Sequence, residues 1–331
     1  MVTESKAFSI PMFDFMNKIP GGLMLIPLIL GSIFGTFFSD ALMVGSFTTA
    51  LFKNSAMPLI ALLIFATGTQ VSWRSSGPVL AHTGVVVFMK SVIPGFLIVC
   101  LGLFIGIDGF LGISILALLA AADNSNGGLW LAFTGKYGDY RDRGAYMGSA
   151  VTDGPFFSML FLGVSGLAEI PLSMFVAAIL PFILGMIVGN LDSKWKAILI
   201  PVPNIVIPFF AFALGTGINL TSVVTGGVQG IIVGIIVAPF TGWLVYLGYK
   251  YILRRGPKSG IGFIAGTTAG NAIANPAIIA AVDPRFAQYV DVATAQVAAS
   301  VLVTAILAPV LASWMLKRNN ALSSPDEEEI A

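Results

Sequence analysis

The stretch Asp123-Asn-Ser-Asn-Gly-Gly128 puts a carboxylate, two carboxamides, a hydroxyl and two glycines in six consecutive residues. The amides and the hydroxyl both donate and accept hydrogen bonds, the carboxylate can take a proton or a cation, and glycine lets a ligand approach the backbone closely. A second polar set lies at Thr267-Thr-Ala-Gly-Asn-Ala-Ile-Ala-Asn-Pro276, with Thr268, Asn271 and Asn275 as its candidate ligands. Two further charges, Lys90 and Asp153, stand inside apolar runs. Together these groups suit the binding of a small polyhydroxylated carboxylate and of a coupling cation. Enzyme chemistry has no comparable signature. The chain has no Gly-x4-Gly-Lys-Ser/Thr loop and no Gly-x-Ser-x-Gly elbow, and its single histidine cannot build a His-Glu-x-x-His zinc site. The lone Cys100 excludes an intrachain disulfide and a cysteine metal cluster. No metal, cofactor or nucleotide is expected, so any uphill movement of a solute must draw on an ion gradient.

The elements that position these residues are membrane helices. The 331 residues are 56% hydrophobic and 10% charged, and the mean hydropathy is +0.92, which defines an all-α polytopic membrane protein with the lipid bilayer as its surroundings. A net charge of +1 gives no reason to expect a nucleic-acid partner, and nothing in the sequence specifies an oligomer. The first 18 residues, with Glu4 and Asp14, lack the apolar core of a signal peptide and read as an interfacial segment.

Hydropathy divides the chain into ten expected spans: 19–38, 42–69, 78–105, 109–134, 144–167, 172–190, 198–217, 225–250, 259–282 and 288–316. With ten, nearly all lysines and arginines fall on one side. Only Arg285 lies opposite, and Lys53 and Lys90 stand within or beside spans. The positive-inside rule then puts both termini in the cytoplasm. His82, near the start of the third span, is expected at the interface. Acidic residues 318–331 read as a disordered tail.

The polar stretch at 123–128 interrupts the fourth span. A loop between two separate spans would leave each piece shorter than the roughly 20 apolar residues a crossing needs, so one discontinuous helix is expected. Backbone opened at that depth persists only where it lines a cavity or is buried in protein. The ninth span repeats the pattern, with Asn275 as the expected N-cap and Pro276 at the first helical position.

The two halves echo one another. Pro27-Leu-Ile-Leu-Gly-Ser-Ile-Phe-Gly35 matches Pro181-Phe-Ile-Leu-Gly-Met-Ile-Val-Gly189 at six of nine positions, 154 residues on. Asn54, Pro58 and Ala61 match Asn204, Pro208 and Ala211 at an offset of 150, and Asn124 leads to Asn271 at 147. The expectation is two five-helix repeats, 19–167 and 168–317, inserted with opposite orientation, with discontinuous helices 4 and 9 crossing at the site. Asp123, Asn124, Ser125, Asn126, Gly127, Gly128, Thr268, Asn271 and Asn275 are the expected substrate ligands. Asp123, Asp153 and Lys90 are the expected cation-coupling set, because charges inside a membrane mark ion or proton paths.

Four motifs carry a family likeness: Lys18-Ile-Pro-Gly-Gly-Leu-Met-Leu-Ile-Pro-Leu28, Asp123–Gly128, Asp153-Gly-Pro155 and Ile207-Pro-Phe-Phe-Ala-Phe-Ala-Leu-Gly215. Over residues 18 to 317 the chain resembles the bacterial 2-keto-3-deoxygluconate permeases. The resemblance implies a proton-coupled symporter importing that sugar acid, and the ten-helix fold of the bile-acid sodium symporters. Asp153 stands where the family commonly has glutamate, and Asn219 where Asp precedes the leucine. A sodium-coupled symporter of another organic anion is the alternative, since Asn, Ser and Thr oxygens at helix breaks also suit that ion. A channel or a non-transporting sensor is further removed.

Overall fold

The computed structural model describes residues 10–18, 22–75, 77–152, 154–217 and 220–321. Asp153, Asn219 and residues 322–331 of the acidic tail lie outside these residues, whereas Arg318, expected in the disordered tail, ends the last helix. Four helices are long and apolar enough to cross a bilayer: Gly77–Ile105, Leu172–Leu191, Gly226–Ile252 and Pro284–Arg318. Counting each bent helix pair as one span gives up to seven. This is fewer than ten because the expected fourth, fifth and ninth spans are in pieces too short to qualify. Ser46–Phe52 meets Ala56–Thr69 at 60°, across Lys53-Asn-Ser55, and Ser193–Leu199 meets Val202–Gly215 at 44°, across Ile200-Pro201. Proline clashes with the preceding turn and offers no N–H, which accounts for the second bend.

The helices used below are α1 (Gly22–Phe37) and α2 (Ala56–Thr69), then α3 (Gly77–Ile105), α4 (Ile115–Ala122) and α5 (Gly127–Tyr137). They are followed by α6 (Leu172–Leu191) and α7 (Val202–Gly215), α8 (Gly226–Ile252), α9 (Asn275–Val282) and α10 (Val290–Arg318). They pack as two groups. In the first, α1 lies on α7, α2 on α6, and α7 also on α2. In the second, α8 and α10 hold the 3-10 stretch Gly256–Gly266 between them, and α4 packs on α3, α8 and α10. Phe96, Leu103 and Phe104 of α3 and Ile231, Ile232, Ile235 and Ile236 of α8 are exposed. An outward apolar surface of this kind is at rest in lipid and unfavourable in water.

The first group is fastened by glycines where backbones touch. A Cβ on Gly31 would lie 2.1 Å from the Phe212 carbonyl oxygen, on Gly35 2.2 Å from that of Thr216, and on Gly215 2.1 Å from that of Leu28. The α6 and α2 pair repeats each contact. Gly185 meets the Phe65 oxygen at 2.0 Å, Gly189 that of Thr69 at 2.2 Å, and Gly68 that of Phe182 at 2.3 Å. These contacts align Phe65-Ala-Thr-Gly-Thr69 with Phe212-Ala-Leu-Gly-Thr216. The offset is 147 rather than the 150 of the proline match, and it equals the offset from Asn124 to Asn271.

In the turns, Asp283 accepts from the Arg285 guanidinium at 2.7 Å and from the Glu169 N–H at 2.8 Å. Arg285 is the larger influence, and together they hold the Asp283 carboxyl at about 2, below its ordinary 3.8. A depressed folded value means the stability is complete above the ordinary value and is lost as pH falls toward 2. Hydrogen exchange at the Glu169 amide is therefore expected to accelerate across that acid window, and Asp283→Asn to remove the dependence.

Candidate functional site

Ser114 caps α4, accepting from the Ala117 N–H at 3.2 Å, and the helix runs through Ala120, Ala121 and Ala122 to end at Asp123. Asn126 caps α5, its Oδ1 accepting from the Leu129 N–H at 3.0 Å. Between the caps, Asn124 and Ser125 bridge the break. Asn124 Nδ2 donates to the Ala120 carbonyl and to Asp123 Oδ1, both at 2.9 Å. Its Oδ1 accepts from the Ala269 N–H at 2.8 Å. Thr268 Oγ1 donates back to the Ala121 carbonyl at 2.8 Å, and the Asn126 N–H donates to Thr267 Oγ1 at 2.9 Å. The two interruptions therefore satisfy each other's opened backbone.

A cavity of about 520 Å³ lies beside this crossing. Ser125, Asn126, Gly127, Gly128, Leu129, Tyr146, Ala269, Gly270 and Asn271 form one wall, and Met24, Leu63, Thr67, Asn204 and Ile207 of α1, α2 and α7 form the other. Five of the expected substrate ligands, Ser125, Asn126, Gly127, Gly128 and Asn271, line it. Asp123, Asn124, Thr268 and Asn275 do not. They are fully buried behind the wall. Asn275 also does not cap a helix, because the 3-10 turn Gly270–Ala274 runs directly into α9 and leaves no open helix start there. Its amide donates to the Gly154 carbonyl at 3.4 Å instead. The chain opens earlier, at Thr267–Ala269.

Asp123 Oδ2 accepts from Ser158, and its carbonyl accepts from Ser91. Lys90 and Ser91 sit on a π-turn, Phe88–Val92, within α3; such turns swing a side chain out of the regular helical register. Lys90 Nζ donates to Thr241 Oγ1 of α8 at 2.9 Å, and the neighbouring Ser91 ties the same turn to Asp123. Thus the structure joins Lys90 and Asp123 in one buried polar cluster one layer behind the cavity, while Asp153 is outside the described residues. The hydroxyls of Ser91, Ser158 and Thr241 and the cavity side chains Thr67, Tyr146 and Asn204 were not singled out from sequence as site residues. Their signal there is slight, a single small polar side chain per apolar helix. Asn204 was visible only as one member of the repeat.

The 2-keto-3-deoxygluconate permease family model matches residues 13–321. The chain belongs to that family. A 2-keto-3-deoxygluconate permease 1 of Salmonella typhimurium is 40% identical over 309 residues, 92% of this chain and 95% of the relative. The 2-keto-3-deoxygluconate permease of Xanthomonas axonopodis pv. citri is 37% identical over 314 residues, 93% and 98% of the two chains. That of Pectobacterium carotovorum subsp. carotovorum is 38% identical over 309 residues, 92% and 96%. No solved structure matches the chain. As a 2-keto-3-deoxygluconate permease family member with long apolar helices, the protein is a multi-pass integral membrane transporter and not an enzyme.

In the permease, Asn126 both caps α5 and lines the cavity. Asn126→Ala is expected to cost about 1 kcal/mol of stability, the usual value of a lost cap, and to raise the KM for substrate. Thermal unfolding in detergent and initial uptake rates check the two effects separately.

Proposed function

We propose that the chain imports 2-keto-3-deoxygluconate with a proton by alternating access. The observation that carries this reading is the composition of the cavity wall. The N-terminal end of α5 and a set of uncharged amides and hydroxyls face the cavity, with no lysine or arginine among the described lining residues. The first N–H groups of a helix lack intrahelical partners, and its dipole favours an anion there. The carboxylate of the sugar acid settles on Gly127 and Gly128, and its hydroxyls meet Ser125, Asn126, Asn271 and Asn204. The names of the relatives supply the substrate.

Asp123 serves as the proton carrier, with Lys90 as its counter-charge and Asp153 as the second carboxylate of the path. Protonation removes like-charge repulsion between the carrier and the arriving anion. Two inverted five-helix repeats, 19–167 and 168–317, with both termini in the cytoplasm of the inner-membrane protein, fit the paired glycine contacts and the recurring offset of 147. The first helix group then rocks against the second, and the cavity opens to alternate sides.

The test is uptake of labelled 2-keto-3-deoxygluconate into proteoliposomes in sodium-free buffer, with an inward proton gradient imposed and then dissipated. Accumulation that collapses with the gradient is expected. Accumulation that needs sodium would replace the proton, and no uptake by folded protein would reject the substrate.

A further inference from the structure

His82, the chain's single histidine, lies near the start of α3 and is buried within the protein. Its Nδ1 lies 2.8 Å from the Pro78 carbonyl oxygen. A carbonyl only accepts, so Nδ1 carries the hydrogen. In the neutral ring Nε2 is then a bare acceptor, and it faces Asp142 Oδ1 at 3.9 Å. Both atoms are buried without a hydrogen-bond partner, as are Tyr249 Oη and Arg255 Nε beside them. A gap of 3.9 Å is too long for a hydrogen bond. It is shorter than the roughly 4.5 Å that two hydrogen bonds of about 2.8 Å span when they meet at a water with tetrahedral geometry.

The surroundings fix everything except that gap. Arg255 holds Asp142 Oδ2 at 2.5 Å and Asp139 at 3.0 Å, and Arg141 pairs with Asp139 at 2.6 Å. The Tyr249 ring stands edge-on to His82 at 5.5 Å. Among the other charged or titratable groups on the adjoining elements, Lys90 donates to Thr241, Lys250 lies over the rings of Tyr246 and Tyr251, Lys136 over that of Tyr137, Arg143 donates to the Gly138 carbonyl, and Tyr146 lines the cavity. The Asp142 carbonyl accepts from Trp130 Nε1 at 2.8 Å, and Trp130 belongs to α5. The cluster therefore joins the half-helix whose N-terminus lines the cavity to α3 and to the end of α8. None of its members lines the cavity itself.

We propose that His82 and Asp142 form a proton-binding latch: one proton taken up between Nε2 and Oδ1 closes the gap and fastens α5 to α3. Bound there, the proton replaces two facing lone pairs with a charge-assisted N–H···O contact of about 2.8 Å, a closure of roughly 1 Å. Burial pushes the Asp142 carboxyl above its ordinary value against the pull of Arg255. The site is separate from the coupling carboxylate and regulates the movement of α5.

A single histidine makes the test direct. Nitrogen-15 NMR of the full histidine-labelled chain in nanodiscs is expected to show the Nδ1–H tautomer at neutral pH. On acidification a downfield Nε2–H signal should appear, and Asp142→Asn should abolish that signal while the Nδ1–H signal stays. An Nε2–H tautomer at neutral pH, or no new signal on acidification, overturns the latch. Both readouts come from the unsubstituted chain and so survive a failure of Asp142→Asn to fold. For function, equilibrium exchange of substrate at symmetric pH should slow on acidification in the unsubstituted protein and not in His82→Gln; equal slowing in both overturns the link to α5. Absence of exchange at every pH counts against the transport reading, and the spectra then decide the latch alone.

Discussion

Asp123→Asn is expected to abolish accumulation of 2-keto-3-deoxygluconate against its gradient, while exchange of external for internal substrate continues. The carboxylate is fully buried and accepts from Ser158 and Asn124. An asparagine of the same shape can keep one of those contacts through its carbonyl oxygen, so the break between α4 and α5 stays folded. What it cannot do is gain and lose a proton. Uncoupled exchange needs the cavity alone, and its wall is formed by neighbours of Asp123 rather than by Asp123. The assay is paired: net uptake under an imposed proton gradient, and counterflow in its absence. Full accumulation by the variant would remove Asp123 from the coupling step, whereas loss of both activities would make its role structural. Lys90→Met is the companion variant, since it deletes the nearby cation and leaves Thr241 without its donor.

The second large effect falls on folding. Gly215→Val is expected to cost roughly 3 kcal/mol or more, at the upper end of overpacking penalties. A Cβ there meets the Leu28 carbonyl oxygen at 2.1 Å and the Gly31 Cα at 3.0 Å, and backbone cannot swing aside as a side chain can. Gly68→Val should behave alike, because its Cβ meets the Phe182 carbonyl oxygen at 2.3 Å. The control is Gly84→Ala, which has nothing within 4 Å of the added carbon. Thermal unfolding in detergent should separate the two valine variants from this alanine variant. Equal stability of all three would mean that the close approach of α1 to α7 and of α6 to α2 does not hold the first helix group together.

Much of this was legible in the sequence, and the exceptions share a physical cause. Hydropathy and the polar run at 123–128 are strong local signals, so the helical class and the break between α4 and α5 follow from them directly. The partner of that break was placed in the right segment, at Thr267–Pro276. Its opening point was misplaced because Asn275-Pro276 imitates a helix start, while the preceding turn in fact continues into α9. Proline offers no N–H and fits a first helical turn, but it does not dictate what comes before it. The proline match and the glycine contacts differ in offset by three residues for a related reason. Prolines recur conspicuously, but the helices are held at glycines, and Phe-Ala-x-Gly-Thr is the segment that touches. His82 was expected at the interface from its position along α3. Its burial depends on Asp142, Tyr249 and Arg255, which come from distant segments and which hydropathy cannot bring together.

The two helix groups also differ in height. Helices α1, α2, α6 and α7 contain 16, 14, 20 and 14 residues, whereas α3, α8 and α10 run for 29, 27 and 29. At about 1.5 Å per residue the first set reaches roughly 21 to 30 Å and the second about 40 Å or more. A bilayer cannot match both at once, so it thins beside one group or tilts the other, at a cost of a fraction of a kcal/mol per Å. In the proposed rocking of one group against the other, that cost acts along the line of movement, because the cavity lies between the groups. On that reading lipid acyl length is a mechanical load, borne unequally by the two walls around the substrate.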